Sequence, residues 1–186
     1  MSFEDDLLLD AANRKDQDAL GTIFDKYSPL IYKYSLRICR DVSQADDIVG
    51  EVFMRLAANL QKGKLQIDNL KSYLYQIAYH LVVDQYRKEE RITELEEGTI
   101  LPDHSLPISK TVENKAMMES IYSALQKNLT ADQQHVIILR FIEGLSIAET
   151  AEITGKTTSN VKVIQSRGME KLRTALVKTE GFLNEQ

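Results

Sequence analysis

Apolar positions return at spacings of three and four along nearly the whole chain, the period that lines one face of an α-helix. In "TTSNVKVIQSRGMEKLR" (157–173), Val161, Ile164, Gly168 and Leu172 form such a stripe, with polar or cationic residues between them. In "NLKSYLYQIAYHLVVDQYRKEER" (69–91) the stripe is Leu70, Leu74, Ile77, Leu81 and Val82. In "SQADDIVGEVFMRL" (43–56) it is Ala45, Val49, Val52 and Leu56, opened by Ser43 and Asp46 at capping-box spacing. There is little β-type alternation. The exception to the helical pattern is "RITELEEGTILPDHSLPISKT" (91–111), which carries Pro102, Pro107 and Gly98 among acids and reads as a flexible linker. The pattern therefore predicts an all-α chain of two small helical domains: 1–91, a linker at 92–111, a second domain at 112–179 and a tail at 180–186.

Local signals in the second domain agree with one another. "TADQ" at 130–133 has capping-box spacing and opens a helix through Val136, Ile137 and Phe141 toward Gly144. "SIAE" at 146–149 repeats that spacing and opens a short helix ending at Gly155; Thr157 then caps the helix of the 157–173 stretch. Two helices joined by a tight glycine-containing turn, the second one basic, describe a helix-turn-helix whose second helix enters a major groove. An ordinary helical hairpin with a solvated charged face fits the same segment.

Charge sharpens this picture. The net charge of -5 is unpromising for a nucleic-acid binder, but it is unevenly distributed. Residues 1–60 hold eleven acids against seven bases, whereas 155–178 hold six bases (Lys156, Lys162, Arg167, Lys171, Arg173, Lys178) against one acid, Glu170. A basic end on an acidic body aims one surface at phosphates while the rest repels them. No apolar run approaches the roughly 20 residues of a membrane span, and the acidic start "MSFEDDLLLD" is unlike a signal peptide, so the cytoplasm is the expected location. The single cysteine, Cys39, excludes an internal disulfide and reads as a buried small residue in its partly apolar context. His80, His104 and His135 are scattered, and no phosphate loop or paired nucleophile and base appears. No enzyme, metal or cofactor is expected.

Two further constellations bear on function. Asp47 and Glu51 stand one turn apart on the polar face of the 43–56 helix, where like charges repel unless solvent ions or a basic partner meets them. Four of the eight tyrosines, Tyr73, Tyr75, Tyr79 and Tyr86, fall in the 69–91 helix beside Arg87 and Lys88. Rings next to cations suit single-stranded nucleic acid, whose bases stack on them. The same tyrosines could simply widen the core stripe, with their hydroxyls at its rim.

Taken together, these stretches resemble the sigma-70 family of bacterial transcription initiation factors, and within it the extracytoplasmic-function (ECF) group, which keeps only sigma regions 2 and 4. "ADDIVGEVF" (45–53) resembles the family's core-polymerase-binding stretch, and "SYLYQIAYHLVVDQYRK" (72–88) its promoter-melting helix. "LTADQQHVIILRFIEGLSIAETAEITGKTTSNVKVIQSRGMEKLR" (129–173) resembles the region 4 helix-turn-helix, and the matches lie in family order. The chain departs from the family pattern at Tyr73, Gln76 and His80 and, in the helix-turn-helix, at Thr150, Thr154 and Lys156. Those departures imply a promoter sequence of its own and a loosely packed first helix.

The resemblance implies a subunit that binds core RNA polymerase and directs it to promoter DNA, with catalysis left to the polymerase. In region 4, Thr158, Ser159, Asn160, Lys162, Val163, Gln165 and Ser166 would face the -35 element, with Lys156, Arg167 and Lys171 on its phosphates. In region 2, the opened -10 strand would meet the loop "QKGKLQIDN" (61–69), including Lys62, Gly63, Lys64 and Asn69. The following helix would add Tyr73, Tyr75, Gln76, Tyr79, His80, Asp84, Arg87 and Lys88. Asp46, Asp47, Ile48, Val49, Glu51 and Phe53 would dock on the polymerase β′ clamp helices, and region 4 on the β subunit. An anti-sigma factor, common in the group, is a further candidate partner. A stand-alone helix-turn-helix regulator explains the second domain equally well but leaves the acidic helix and the tyrosine-rich helix without a role.

Overall fold

The computed structural model describes residues 3–63, 65–95 and 124–183, the side chains of 88–95 and 176–183 excepted. Among the described residues every regular element is helical, and no helix is long and apolar enough to cross a membrane. The chain divides into two compact units, Met1–His104 and Ser105–Gln186.

The N-terminal unit contains α1 (Phe3–Asn13), α2 (Gln17–Cys39), α3 (Val42–Gln61) and α4 (Leu70–Leu95). Asp16 caps α2 by accepting from the amides of Asp18 and Ala19 at 2.9 and 3.2 Å. Lys26 of α2 reaches Asp5 at 2.9 Å and Glu4 at 3.0 Å, pinning α1. These two acids hold the lysine pKa above its ordinary value. Arg40, left-handed at φ 55°, ends α2, and Asp41 at once caps α3 by accepting from Gln44 N at 2.8 Å. The expected cap at Ser43 is thus displaced: the chain reverses at Arg40, so the first available acceptor is Asp41. Asn69 caps α4 through Ser72 N at 2.9 Å.

The core of this unit is built from Ile23, Ile31, Tyr34 and Ile38 of α2, Ala45, Val52 and Leu56 of α3, and Leu70, Leu74, Tyr75, Ala78 and Val82 of α4, all of them buried. Burying each large apolar side chain contributes about 1.5–3 kcal/mol. Because α4 packs on both α2 and α3, its buried face is broader than one leucine stripe. Tyr75 and Tyr79 fill the added width, while Ile77 and Leu81 of the expected stripe are only half-buried at its edge. Tyr75 stands edge-on to Tyr34 at 5.5 Å, and the Tyr86 hydroxyl donates to Ile38 O at 2.8 Å. Cys39, expected inside, is half-buried at the end of α2.

The C-terminal unit contains α5 (124–128), α6 (Ala131–Ile137) continued by a π-turn (Ile138–Ile142), α7 (Ile147–Thr154) and α8 (Thr158–Leu183). Gln133 and His135 through Leu139 are buried on every side, which makes α6 the central helix of this unit. The expected α-helical run toward Gly144 is interrupted at Ile138. The wider π-turn shifts the register, and Phe141, read as part of the helix's apolar set, is 53% exposed. Helices α4 and α8 also run past the expected boundaries at 91 and 179, to Leu95 and Leu183. Residues 96–111 of the expected linker lie outside the described residues.

Candidate nucleic-acid and polymerase interfaces

The turn that leads into the basic helix is held by local chemistry, from the start of α7 to the start of α8. Ser146 and Glu149 form the expected capping box at the start of α7, at 3.1 and 2.7 Å. At its end Gly155 takes φ 64°, a conformation that favours glycine, and the Lys156 amide donates to Ala151 O at 3.0 Å. The Thr157 hydroxyl accepts from Asn160 N at 3.2 Å and starts α8. Val136, Ala151 and Val161 bury one another, with Ile147 and Ile164 packed alongside. One turn on, a Cβ at Gly168 would stand 3.3 Å from Ile137 Cγ1 and 3.5 Å from Gln133 Cβ, so glycine lets α8 lie close on α6.

This packing fixes what α8 presents outward. Ser159, Lys162, Val163 and Ser166 lie along its exposed face, flanked by Thr158, Asn160, Arg167 and Lys171, all exposed. Lys156, expected on phosphate, has a protein partner. Its amine pairs with Asp132 at 2.9 Å, joining the α7–α8 turn to the start of α6. Gln165 is half-buried at the edge of this face and accepts a hydrogen bond from Arg140 Nε at 3.1 Å. Arg140 also donates to Leu145 O before α7, so one guanidinium spans the π-turn, the loop and the basic helix. Sequence periodicity carried no signal for either long-range tie.

Beneath this surface the His135 ring is buried, and desolvation pushes its pKa down to about 4; Asp132 opposes that shift and Lys156 adds to it. Thr150 and Thr154, the departures in the first helix, are buried. Thr154 donates to Thr150 O at 2.7 Å, while the buried Thr150 hydroxyl has no hydrogen-bond partner among the described residues.

In the N-terminal unit the structure sorts the candidates by helix face. Tyr73, Gln76, His80, Asp84 and Arg87 fall on one side of α4; His80, Asp84 and Arg87 are exposed, and Tyr73 and Gln76 half-exposed. Asn59 Nδ2 donates to the Tyr73 hydroxyl at 2.7 Å, which fixes that ring. Asp84 and Arg87 approach to 4.0 Å. Tyr75 and Tyr79, expected as stacking rings, are 0% and 7% exposed and have no face open to a base. The loop ahead of α4 is latched by Asn13, whose side chain accepts from Leu65 N at 2.6 Å and donates to Leu65 O at 3.1 Å. Lys62 and Gly63 are exposed in that loop and Asn69 is half-buried as the α4 cap. Lys64 and the Lys88 side chain lie outside the described residues.

The acidic face of α3 is also re-drawn. Ile48 and Phe53 are buried, and Phe53, standing 4.7 Å from Phe24 of α2, does not offer its ring to a docking partner as expected, whereas Ile48 reaches the surface only as part of the groove lining below; Val49 is half-buried. What remains outward is Asp46, Asp47 and Gly50, with Met54 63% exposed among them. Glu51 is already engaged by Arg55 at 2.7 Å. Asp46, Asp47, Gly50, Glu51 and Met54, with Leu81 and Gln85 of α4, line an open groove of about 460 Å³ floored by Ile48. Met54 was legible at helical spacing from Asp47, Gly50 and Glu51; the α4 wall required the fold.

Comparison with known proteins adds the family. The Sigma-70 region 2 model matches residues 23–92 and the Sigma-70, region 4 model matches residues 125–174. The chain is 32% identical over 164 residues to the ECF RNA polymerase sigma factor SigX of Bacillus subtilis, covering 84% of this chain and 83% of the relative. It is 28% identical over 171 residues to the ECF RNA polymerase sigma factor BldN of Streptomyces coelicolor, covering 89% of this chain but spanning only 63% of BldN's length. Among solved structures, CnrH in complex with the cytosolic domain of CnrY is similar in fold, with TM-score 0.71, 20% identity, and 94% and 98% of the two chains covered. The sigma factor RpoE in complex with the anti-sigma factor NepR, from Bartonella quintana, is similar at TM-score 0.70 and 23% identity, covering 88% and 97%. The two family models, in order over the two helical units, and the identity to SigX show that the chain belongs to the sigma-70 family of RNA polymerase sigma factors, in its ECF group.

Proposed function

We propose that this chain is a promoter-specificity subunit that joins core RNA polymerase in the cytoplasm, recognises -35 duplex DNA through α8, holds the opened -10 strand along α4, and has no catalytic activity of its own. One observation carries the reading: a single chain pairs a basic helix-turn-helix with a second unit bearing both an acidic, methionine-centred groove and an aromatic–polar helix face. A stand-alone regulator needs only the first of these.

The roles divide by chemistry. Ser159, Lys162, Val163 and Ser166, which share the open side of α8, and Gln165 at its edge are the base-reading set. Arg167 and Lys171 flank it and suit phosphate, where they position without specifying. Lys156 helps through structure, its charge being met by Asp132. Tyr73, Gln76, His80 and Arg87 form the -10 track, with Lys62 and Gly63 in the latched loop at its start; an extruded base costs a few kcal/mol of stacking, which a pocket must return. An anti-sigma factor is a further proposed partner, in line with the NepR complex of the structurally similar RpoE.

The acidic groove suits a basic, partly apolar surface such as the β′ clamp helices. Asp46 and Asp47 are exposed and rim the groove, so their charge should act mainly on encounter rate. Asp46→Ala with Asp47→Ala is expected to slow assembly with core polymerase by about tenfold at low salt, an effect that shrinks as salt screens the rim. Helical content and the -35 preference of assembled holoenzyme should not change. Surface-immobilised core polymerase titrated with the variant at two ionic strengths measures this; unchanged association at low salt would remove the groove from the interface.

A further inference from the structure

We infer that Arg140, a residue of the π-turn, sets the base preference of Gln165 by fixing which end of its amide faces the groove. The inference rests on the base-reading role proposed for Gln165. Arg140 Nε stands 3.1 Å from Gln165 Oε1. A guanidinium has donors only, so the atom turned toward it must be the amide oxygen, and the assignment of oxygen and nitrogen follows from chemistry. The guanidinium is itself held, since it also donates to Leu145 O, at the loop between the π-turn and α7. Both partners are half-buried, which limits competition from water.

The consequence is directional. An amide free to rotate can present oxygen and nitrogen together, the pairing that reads adenine at its N6 and N7. With its oxygen drawn to Arg140, Gln165 leaves its NH₂ group, which has no protein partner among the described residues, as the end available to DNA. Donors alone suit guanine, which shows two acceptors at O6 and N7, and thymine at O4; they match adenine less well because its N6 is also a donor. The π-turn contributes because its extra residue sets the register in which Arg140, rather than a neighbour, reaches α8.

The test is a panel of -35 duplexes carrying each of the four base pairs at each position, bound by holoenzyme containing parent, Gln165→Ala, Arg140→Met, or both substitutions. Gln165→Ala identifies the base pair concerned. There the parent should prefer guanine or thymine over adenine by about tenfold. Arg140→Met, which keeps the apolar stem, should erase most of that ratio while leaving preferences elsewhere unchanged, and should add nothing to the ratio in the Gln165→Ala background. If Arg140→Met fails to assemble, Gln165→Glu serves instead: it keeps Arg140 partnered, removes the outward donors and should abolish the guanine or thymine preference. A parent preference for adenine, or a preference that survives Arg140→Met intact, overturns the inference while base reading by Gln165 stands. No position-specific effect of Gln165→Ala overturns the base-reading role together with the inference.

Discussion

Tyr75→Ala is expected to destabilise the N-terminal unit strongly, not to weaken a DNA contact. The ring is fully buried, packed edge-on against Tyr34 at 5.5 Å between helices contributed by distant parts of the chain. Truncating a buried aromatic ring loses its transfer free energy and leaves a cavity, about 3–5 kcal/mol together. A domain of this size has roughly 5–15 kcal/mol in all, so the variant should melt far below the parent and assemble poorly with polymerase. Tyr73→Ala makes the contrast. That ring is half-exposed and its hydroxyl has one bond, from Asn59, so the stability cost should be near 1 kcal/mol. Its loss should appear instead in promoter opening, by about the 1–3 kcal/mol of one stacked base. Thermal melting of both variants, beside permanganate footprinting of the -10 region with holoenzyme, separates the two. A Tyr75→Ala protein that melts like the parent would contradict the core assignment.

The second large effect is a loss of stability in mild acid, confined to the C-terminal unit. His135 stays neutral in the folded unit down to about pH 4, whereas an ordinary histidine takes up its proton near 6.5. Between these values the unfolded chain binds more protons than the folded one. The contribution is therefore fully present above pH 6.5 and is lost as the pH falls toward 4, at about 1.4 kcal/mol per pH unit, or roughly 3 kcal/mol across the window. Lys156, paired with Asp132 nearby, adds to the cost of a second positive charge there. Urea unfolding of the full chain, followed by NMR signals of the C-terminal unit at pH 7.5, 6 and 5, should show this slope. In His135→Leu most of it should vanish, whatever the variant's stability at neutral pH. Equal slopes in parent and variant would place the acid sensitivity elsewhere.

How much of this was legible in the sequence depends on how far along the chain each interaction reaches. Thr130, Ser146 and Thr157 cap their helices because each hydroxyl needs only an amide three residues on, and such spacing is written locally. The α8 stripe was legible for the same reason. The width of the buried face on α4 was not, because it depends on two neighbouring helices at once. Tyr75, Tyr79 and Tyr86 do follow helical spacing, but the leucine stripe beside them follows it equally well. Phe53 went inside because Phe24 covers it from α2, 29 residues earlier in the chain. The π-turn carries no residue signature, so the exposure of Phe141 and the reach of Arg140 to Gln165 emerged only with the fold. The pairing of Lys156 with Asp132 likewise joins two capping regions that sequence treats as separate.

The central claim, that this chain recognises promoters as a polymerase subunit, is tested most directly by transcription in a defined mixture. Core RNA polymerase, a randomised promoter pool and nucleotides are combined with and without the chain, and the initiated transcripts are sequenced. The expected result is initiation that requires the chain and enriches one pair of spaced sequence elements, while the free chain, with its acidic N-terminal body, binds the enriched duplexes weakly at physiological salt. Tight, sequence-specific binding by the chain alone, with transcription by core polymerase unchanged when it is added, would contradict the claim and identify a stand-alone regulator.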